Sequence, residues 1–115
     1  MNKVILMGRL TKDPELRNTQ SGTAVTSFTV AIDRRSKEKA TDFINCVAWR
    51  QTAEFVSKYF AKGRMIAVVG SIQSRNYTDR DGNNRTAVEV VVDEVSFCGD
   101  RSAPDVAVDD DELPF

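Results

Sequence analysis

A two-residue alternation of apolar and polar side chains runs through most of this chain and is broken by a helical rhythm only once. Between Ala24 and Asp33, Phe28, Val30 and Ile32 are separated by Thr29, Ala31 and Asp33. Successive side chains of an extended chain point to opposite faces, so this pattern marks a strand with one face buried. Four other segments read the same way. Val4–Leu10 is apolar-rich and closes on the turn cluster Thr11-Lys12-Asp13-Pro14. Asp42–Trp49 is rich in aromatic and β-branched residues, and Met65–Tyr77 and Thr86–Phe97 flank the hairpin signal Asp81-Gly82. Ser21-Gly22 marks a turn, Arg34–Thr41 a charged loop, and Gly70 a candidate bulge where the sheet must curl. Between Gln51 and Ala61 the period becomes helical, with Phe55, Val56, Tyr59 and Phe60 on one face and Gly63 as the stop.

This order predicts an all-β fold. Five strands with one α-helix between strands 3 and 4 is the order of the oligonucleotide-binding (OB) type of Greek-key barrel, the expected fold, although other small α+β sheets share that count. The 115 residues suffice for one domain of about 100 residues with a modest core. Histidine is absent, which removes the commonest general base and metal ligand and weighs against an enzyme. Neither a metal site nor a cofactor is expected. Cys46 and Cys98 lack CxxC spacing and sit in apolar strand contexts, so they read as buried free thiols of a cytoplasmic protein. No apolar stretch is long enough for a membrane span and no signal-peptide pattern opens the chain.

The net charge of −1 conceals an uneven distribution. Residues 1–100 hold 15 basic and 12 acidic side chains, whereas 101–115 hold one and five. A mildly basic body is compatible with a polyanionic partner. The chain ends Asp109-Asp110-Asp111-Glu112-Leu113-Pro114-Phe115. Consecutive like charges cannot build a core, and Pro114 holds Leu113 extended. An inert solubilising tail seldom finishes in a bulky aromatic, so docking is the better reading, with Phe115 in an apolar pocket of a partner and the acids on its basic rim. The expected organisation is a domain over 1–99, a linker over 100–108 and a disordered acidic tip over 109–115. A nine-residue flexible linker reaches about 15–18 Å, which keeps partners near the barrel.

Strand parity nominates a surface. Phe43, Asn45, Val47 and Trp49 share one face of the third strand, and Ile44, Cys46 and Ala48 the other. In the fourth strand Ile66, Val68 and Ile72 oppose Gln73, Arg75 and Tyr77. If the polar faces coincide, Phe43, Trp49 and Tyr77 form spaced platforms, and unpaired bases stack on aromatics at about 1–3 kcal/mol each, whatever their sequence. A duplex would not offer its already stacked bases. Lys3, Arg34, Arg35, Arg50, Lys62 and Arg75 supply cations for phosphates, with salt-dependent affinity. By residue type alone Phe43 and Trp49 also read as core, for Trp49 the better reading, and Ile44 and Val47 belong either to the core or to a subunit contact.

Several segments resemble bacterial-type single-stranded DNA-binding proteins, across nearly the full length. They are Asn2-Lys3-Val4-Ile5-Leu6, Gly8-Arg9-Leu10, Asp13-Pro14-Glu15, Asp42–Arg50 with Ala53-Glu54, Lys62-Gly63, Arg75-Asn76-Tyr77, Asp81-Gly82, Glu89–Val92 and the Leu113-Pro114-Phe115 end. The resemblance implies base stacking at Phe43, Trp49 and Tyr77 and backbone contacts at Lys3, Lys62 and Arg75. It also implies a homotetramer, a nucleoid-associated location, and recruitment of replication, recombination and repair proteins through the tip. Where such proteins usually carry an aromatic after the second strand, this chain has Arg34-Arg35-Ser36 in a shorter loop, so Arg34 or Arg35 is expected to cover a base or hold a phosphate.

Three other readings fare worse. Counting a calcium loop from Asp79 places Val90 where a bidentate acid is required. A metal-dependent nuclease would need clustered acids at a shared strand end. A protein adaptor, its barrel binding protein and its tail recruiting a partner, would bind no oligonucleotide.

Overall fold

The structure, a computed structural model, describes residues 1–98. They form β1 (Val4–Leu10), β2 (Arg17–Asn18), β3 (Ala24–Asp33), β4 (Thr41–Trp49), α1 (Arg50–Tyr59), β5 (Met65–Thr78) and β6 (Asn84–Phe97). The five long strands are the five expected, and the helix falls between the third and fourth of them. The addition is β2, two exposed polar residues paired with Val25 and Ala24 across a Thr19–Thr23 turn. Two polar residues carry no alternation, so nothing in the sequence marks them as a strand.

The sheet order is β1-β5-β6-β4-β3-β2, and β1 also pairs with β3 through Arg9↔Ala31 and Leu10↔Val30. That second pairing closes the sheet into the OB barrel. All pairings are antiparallel except the short seam Cys46↔Val90 and Val47↔Val91 between β4 and β6. Inward residues of every long strand meet three helix-side residues, Ala53, Val56 and Phe60, in one core that includes Leu10, Phe28, Val30, Ile66 and Val68. Each such large side chain, fully buried, contributes about 1.5–3 kcal/mol.

The helix plugs one end of the barrel but is shorter than its spacing predicts. It ends at Tyr59 because Phe60 turns extended (φ −119°, ψ 149°) and drops its ring into the core. Gly63 therefore does not stop the helix. It serves the next turn, where its φ of +85° lets the Arg64 N–H donate to the Ala61 carbonyl at 3.0 Å. The same turn is tied to β1, since the Gly63 N–H donates to the Leu10 carbonyl at 2.8 Å.

The irregularity expected at Gly70 is present, with the extra residue on the opposite strand. Val69 faces Glu94 and Gly70 faces Val92, which leaves Asp93 as the surplus. The Val91 carbonyl oxygen occupies the place a Cβ on residue 70 would take. Beyond the seam with β4 at Val90 and Val91, β5 and β6 leave the barrel as an arm. Ile72, grouped by parity with the buried Ile66 and Val68, is exposed because no third element covers it there. At the arm's tip Asp79 Oδ1 accepts from the Asp81 and Asn83 N–H groups at 2.9 Å each, and Oδ2 accepts from Arg85 Nε at 2.9 Å. The Arg85 hydrogen bond, followed by those of the backbone, holds the Asp79 carboxyl below the usual carboxylate range. A turn, not a cation, accounts for these acids.

Cys46 is buried as expected, and burial pushes its thiol up to about 12. Cys98, at the end of β6, is only partly buried, because the barrel wall stops at Phe97. Among the described residues no helix is long and apolar enough to cross a membrane. The linker and the tip expected over 100–115 lie outside the described residues.

Candidate nucleic-acid interface

The strand pairings settle whether the polar faces coincide. Val47 of β4 pairs with Val91 of β6, and Val91 pairs with Ser71 of β5. Paired residues point to the same side of a sheet, so the outward sides of β4, β6 and β5 form one surface. Phe43 (64% exposed), Trp49 (42%) and Tyr77 (43%) all lie on it. For Trp49 the choice between core and surface is decided by its neighbour, since Ala48 takes the inward position and is fully buried. Val47 departs from its set: it is buried, yet lies outside the main core cluster. Ile44 packs, partly buried, against that core.

An open groove of about 750 Å³ includes Asn45 and Arg75 of the same surface. Its floor includes Ser27, Thr29 and Asn45, and its walls are the loop after β1 (Lys12, Asp13) and the β5–β6 arm (Arg75, Glu89). The Thr29 hydroxyl donates to Asn45 Oδ1 at 3.1 Å, which orients the Asn45 amide on the floor. Asp13 Oδ1 accepts the Lys62 backbone N–H at 2.8 Å and pins the loop to the turn before β5. Arg75 Nε reaches Glu89 Oε1 at 3.3 Å, while its guanidinium lies 5.5 Å from the Tyr77 ring centre. A solvent-exposed ion pair of this kind is weak, so an arriving phosphate can displace Glu89. Thr29, Asn45 and Lys12 were not singled out from the sequence. The only signal for Thr29 and Asn45 was polar residues at outward parity in an otherwise apolar strand pair, and Lys12 was marked only as part of a turn.

The remaining cations differ in their commitments. Arg34 grips Asp42 in a two-point fork, Nε to Oδ2 at 3.0 Å and Nη2 to Oδ1 at 2.9 Å. That hydrogen bonding raises the Arg34 pKa and lowers that of Asp42. Because Asp42 alternates with Phe43, the fork lies on the other side of the strand from the ring. Arg35 is exposed in the same loop. Arg50 directly follows Trp49 and is exposed, with a φ of +58°, because β4 passes into α1 with no connecting loop. A non-glycine residue in that region costs about 1–2 kcal/mol, and such strain gathers at functional sites. The Asn2 amide extends the β1–β5 ladder, donating to the Ile72 carbonyl at 2.8 Å and accepting its N–H at 2.9 Å. This continuation sets the exposed Lys3 in the Ser71 row, on the side of Gln73 and Arg75. Lys62 is exposed in the turn before β5. The tip residues Asp109–Phe115 lie outside the described residues.

Comparison with known proteins agrees with this geometry. The profile of the single-strand binding protein family matches residues 1–98. Single-stranded DNA-binding protein 2 of Listeria monocytogenes is 50% identical over 101 residues, covering 84% of this chain and 63% of the relative. The single-stranded DNA-binding protein of Bacillus cereus is 47% identical over 106 residues, covering 89% and 62%. That of Caldanaerobacter subterraneus is 46% identical over 122 residues, covering 97% and 81%. The chain thus matches somewhat less than two thirds of the length of the first two. With the barrel, its exposed rings and a family match from the first residue to the end of β6, the chain belongs to the single-strand binding protein family.

Proposed function

We propose that this chain binds single-stranded DNA without regard to sequence, by stacking bases on Phe43, Trp49 and Tyr77 and holding the backbone with Arg75, Lys3, Arg50, Lys62 and Arg35. The observation that carries this reading is the placement of three exposed rings on one continuous sheet surface, with a guanidinium beside one of them. Stacking needs only a π-face, so the affinity is indifferent to sequence. The names of the relatives accord with it. Arg34 contributes after exchanging Asp42 for phosphate, a smaller gain than a free cation gives. The role is non-catalytic: the protein covers exposed strands in the cytoplasm, with the nucleoid, during replication, recombination and repair. The tip, residues 109–115, recruits the proteins of those processes. The chain acts as a homotetramer, for which the exposed Ile5 and Met7 on the outer side of β1 provide apolar contact area.

Trp49 is the only tryptophan, which makes one titration decisive. Oligo-dT should quench its emission, a duplex of equal length should do so far less, and added salt should weaken binding. Equal affinity for duplex and single strand would overturn the stacking reading.

A further inference from the structure

We infer that the C-terminal end of α1 and the end of β6 form a second single-strand contact, in which Tyr59 stacks a base and Lys58 and Arg64 hold phosphates. This rests on the single-strand reading above but uses none of the residues assigned there. Four aromatic rings gather at this end of the barrel. Phe60, buried, stacks on Phe97 at 5.0 Å with planes 18° apart, and Phe55 lies 4.9 Å from Tyr59 and 5.6 Å from Phe97. Phe60 anchors the cluster in the core. Tyr59 is its outer member, 46% exposed.

The cations are placed to match. Lys58 Nζ lies over the Tyr59 ring at 5.3 Å, and the Arg64 guanidinium over Phe97 at 5.5 Å. Among the described residues neither is in an ion pair, although Glu54 stands one helical turn before Lys58. The Lys58–Tyr59 arrangement repeats that of Arg75 over Tyr77 on the sheet face, at 5.5 Å. In both, a cation lies over a ring that is more than two-fifths exposed. A base can replace the cation on the ring, and the cation then meets the phosphate of the same nucleotide.

The position also suits a continuous path. Trp49 and Arg50 stand at the start of the same helix. Ten helical residues separate the two rings by about 15 Å along the axis, a span of a few extended nucleotides. A strand leaving the sheet face at Trp49 therefore passes along α1 to Tyr59. Nucleic acid suits this patch better than a protein partner, because one cation lies over the exposed ring and a second over the neighbouring Phe97 ring.

The test uses the full chain and an oligo-dT length series, read by Trp49 quenching. Tyr59→Ala should leave the affinity for short oligomers, which occupy only the sheet face, unchanged. It should weaken long oligomers about 5- to 150-fold, the equivalent of about 1–3 kcal/mol for one stacked base. Tyr59→Phe should bind both as the native chain does. Ultraviolet cross-linking to a long bromodeoxyuridine-substituted oligomer should yield an adduct on Tyr59. If Tyr59→Ala lowers the thermal midpoint, Lys58→Glu replaces it. That variant should reduce the salt slope by roughly 0.7 or more for long oligomers alone. Native chain that binds no dT of any length overturns the single-strand reading itself. Native binding with both variants unchanged at every length, and no Tyr59 adduct, overturns this inference alone. Loss of a protein partner on Tyr59→Ala with DNA binding intact assigns the patch to that protein instead.

Discussion

Thr26 offers a test of the barrel's energetics that leaves the binding face untouched. It is fully buried, paired with Ala48 on the inward side, and among the described residues its Oγ1 is the buried side-chain polar atom without a hydrogen-bond partner. A hydroxyl withdrawn from water and left unpaired costs about 1–3 kcal/mol. Thr26→Val replaces it with a methyl of nearly the same shape in a strand that favours β-branched residues, so no cavity opens and no rotamer is forced. The variant should therefore be more stable by about 1–2 kcal/mol. For a domain of this size the thermal midpoint should rise roughly 4–8 °C per kcal/mol. Calorimetry and urea unfolding, with native and variant at one protein concentration because oligomerisation shifts the midpoint, should show an increase with an unchanged denaturant slope. Thr26→Ser, which keeps the hydroxyl and deletes the methyl, should lose stability. Affinity for oligo-dT should not change in either. A less stable Thr26→Val would refute the reasoning, because it would mean that the hydroxyl is satisfied, for instance by an internal water.

Other perturbations separate binding from folding. Phe43→Ala or Tyr77→Ala should cost about 1–3 kcal/mol of single-strand affinity, while urea unfolding shows less than the ~3–5 kcal/mol lost on emptying a buried aromatic site. Gly70→Ala should destabilise the barrel by about 1–3 kcal/mol, since its Cβ meets the Val91 carbonyl; a midpoint equal to the native one in urea would contradict that. Asp79→Ala should loosen the arm at neutral pH. The native carboxyl titrates below its ordinary range, so its stabilising effect is complete above about pH 4 and disappears as pH falls through the lowered value. Hydrogen exchange at Asp81 and Asn83 should accordingly converge between native and variant in acid. Deleting residues 109–115 removes four acidic side chains and should abolish partner capture in pull-downs. Binding of oligo-dT at low salt should stay the same or tighten, because a tethered polyanion no longer competes for the cations.

Much of the barrel was legible because alternation reports which face of a strand is wet. The bounds of β1 and β3, the bulge position and the hairpin at Asp81-Gly82 follow from that pattern and from glycine chemistry alone. The helix end was misjudged because Phe60 fits the helical stripe by spacing, while its ring is better buried after the chain turns extended. Ile72 points the same way as Ile66 and Val68, as its spacing indicates, but parity shows direction and not cover, and the arm outruns the elements that would bury it. The same gap applied to the site. Residue type and parity were enough to nominate Phe43 and Tyr77, whereas Trp49 needed its buried neighbour Ala48 to be known. The Arg34–Asp42 fork joins residues eight apart across a hairpin, and its geometry depends on a loop that no periodicity describes. The pairing of Arg75 with Glu89 likewise required the β5–β6 register.

The place of β6 in the sheet sets an order on how the molecule comes into being. Last of the described strands, it lies between β5 and β4 and pairs with both. During synthesis β1 to β5 and the helix can emerge and collapse, but the wall joining Phe43 to Tyr77 is missing until β6 inserts. Three of the joins are hairpins between consecutive strands, but others tie distant residues, Val4 to Gly70 and Cys46 to Val90 among them, and such long loops close slowly, typically in milliseconds to seconds for all-β domains. A growing chain therefore has rings and cations but no assembled surface to present. Competence to hold a strand should arrive in one step, once the chain has been released far enough for Phe97 to reach its place.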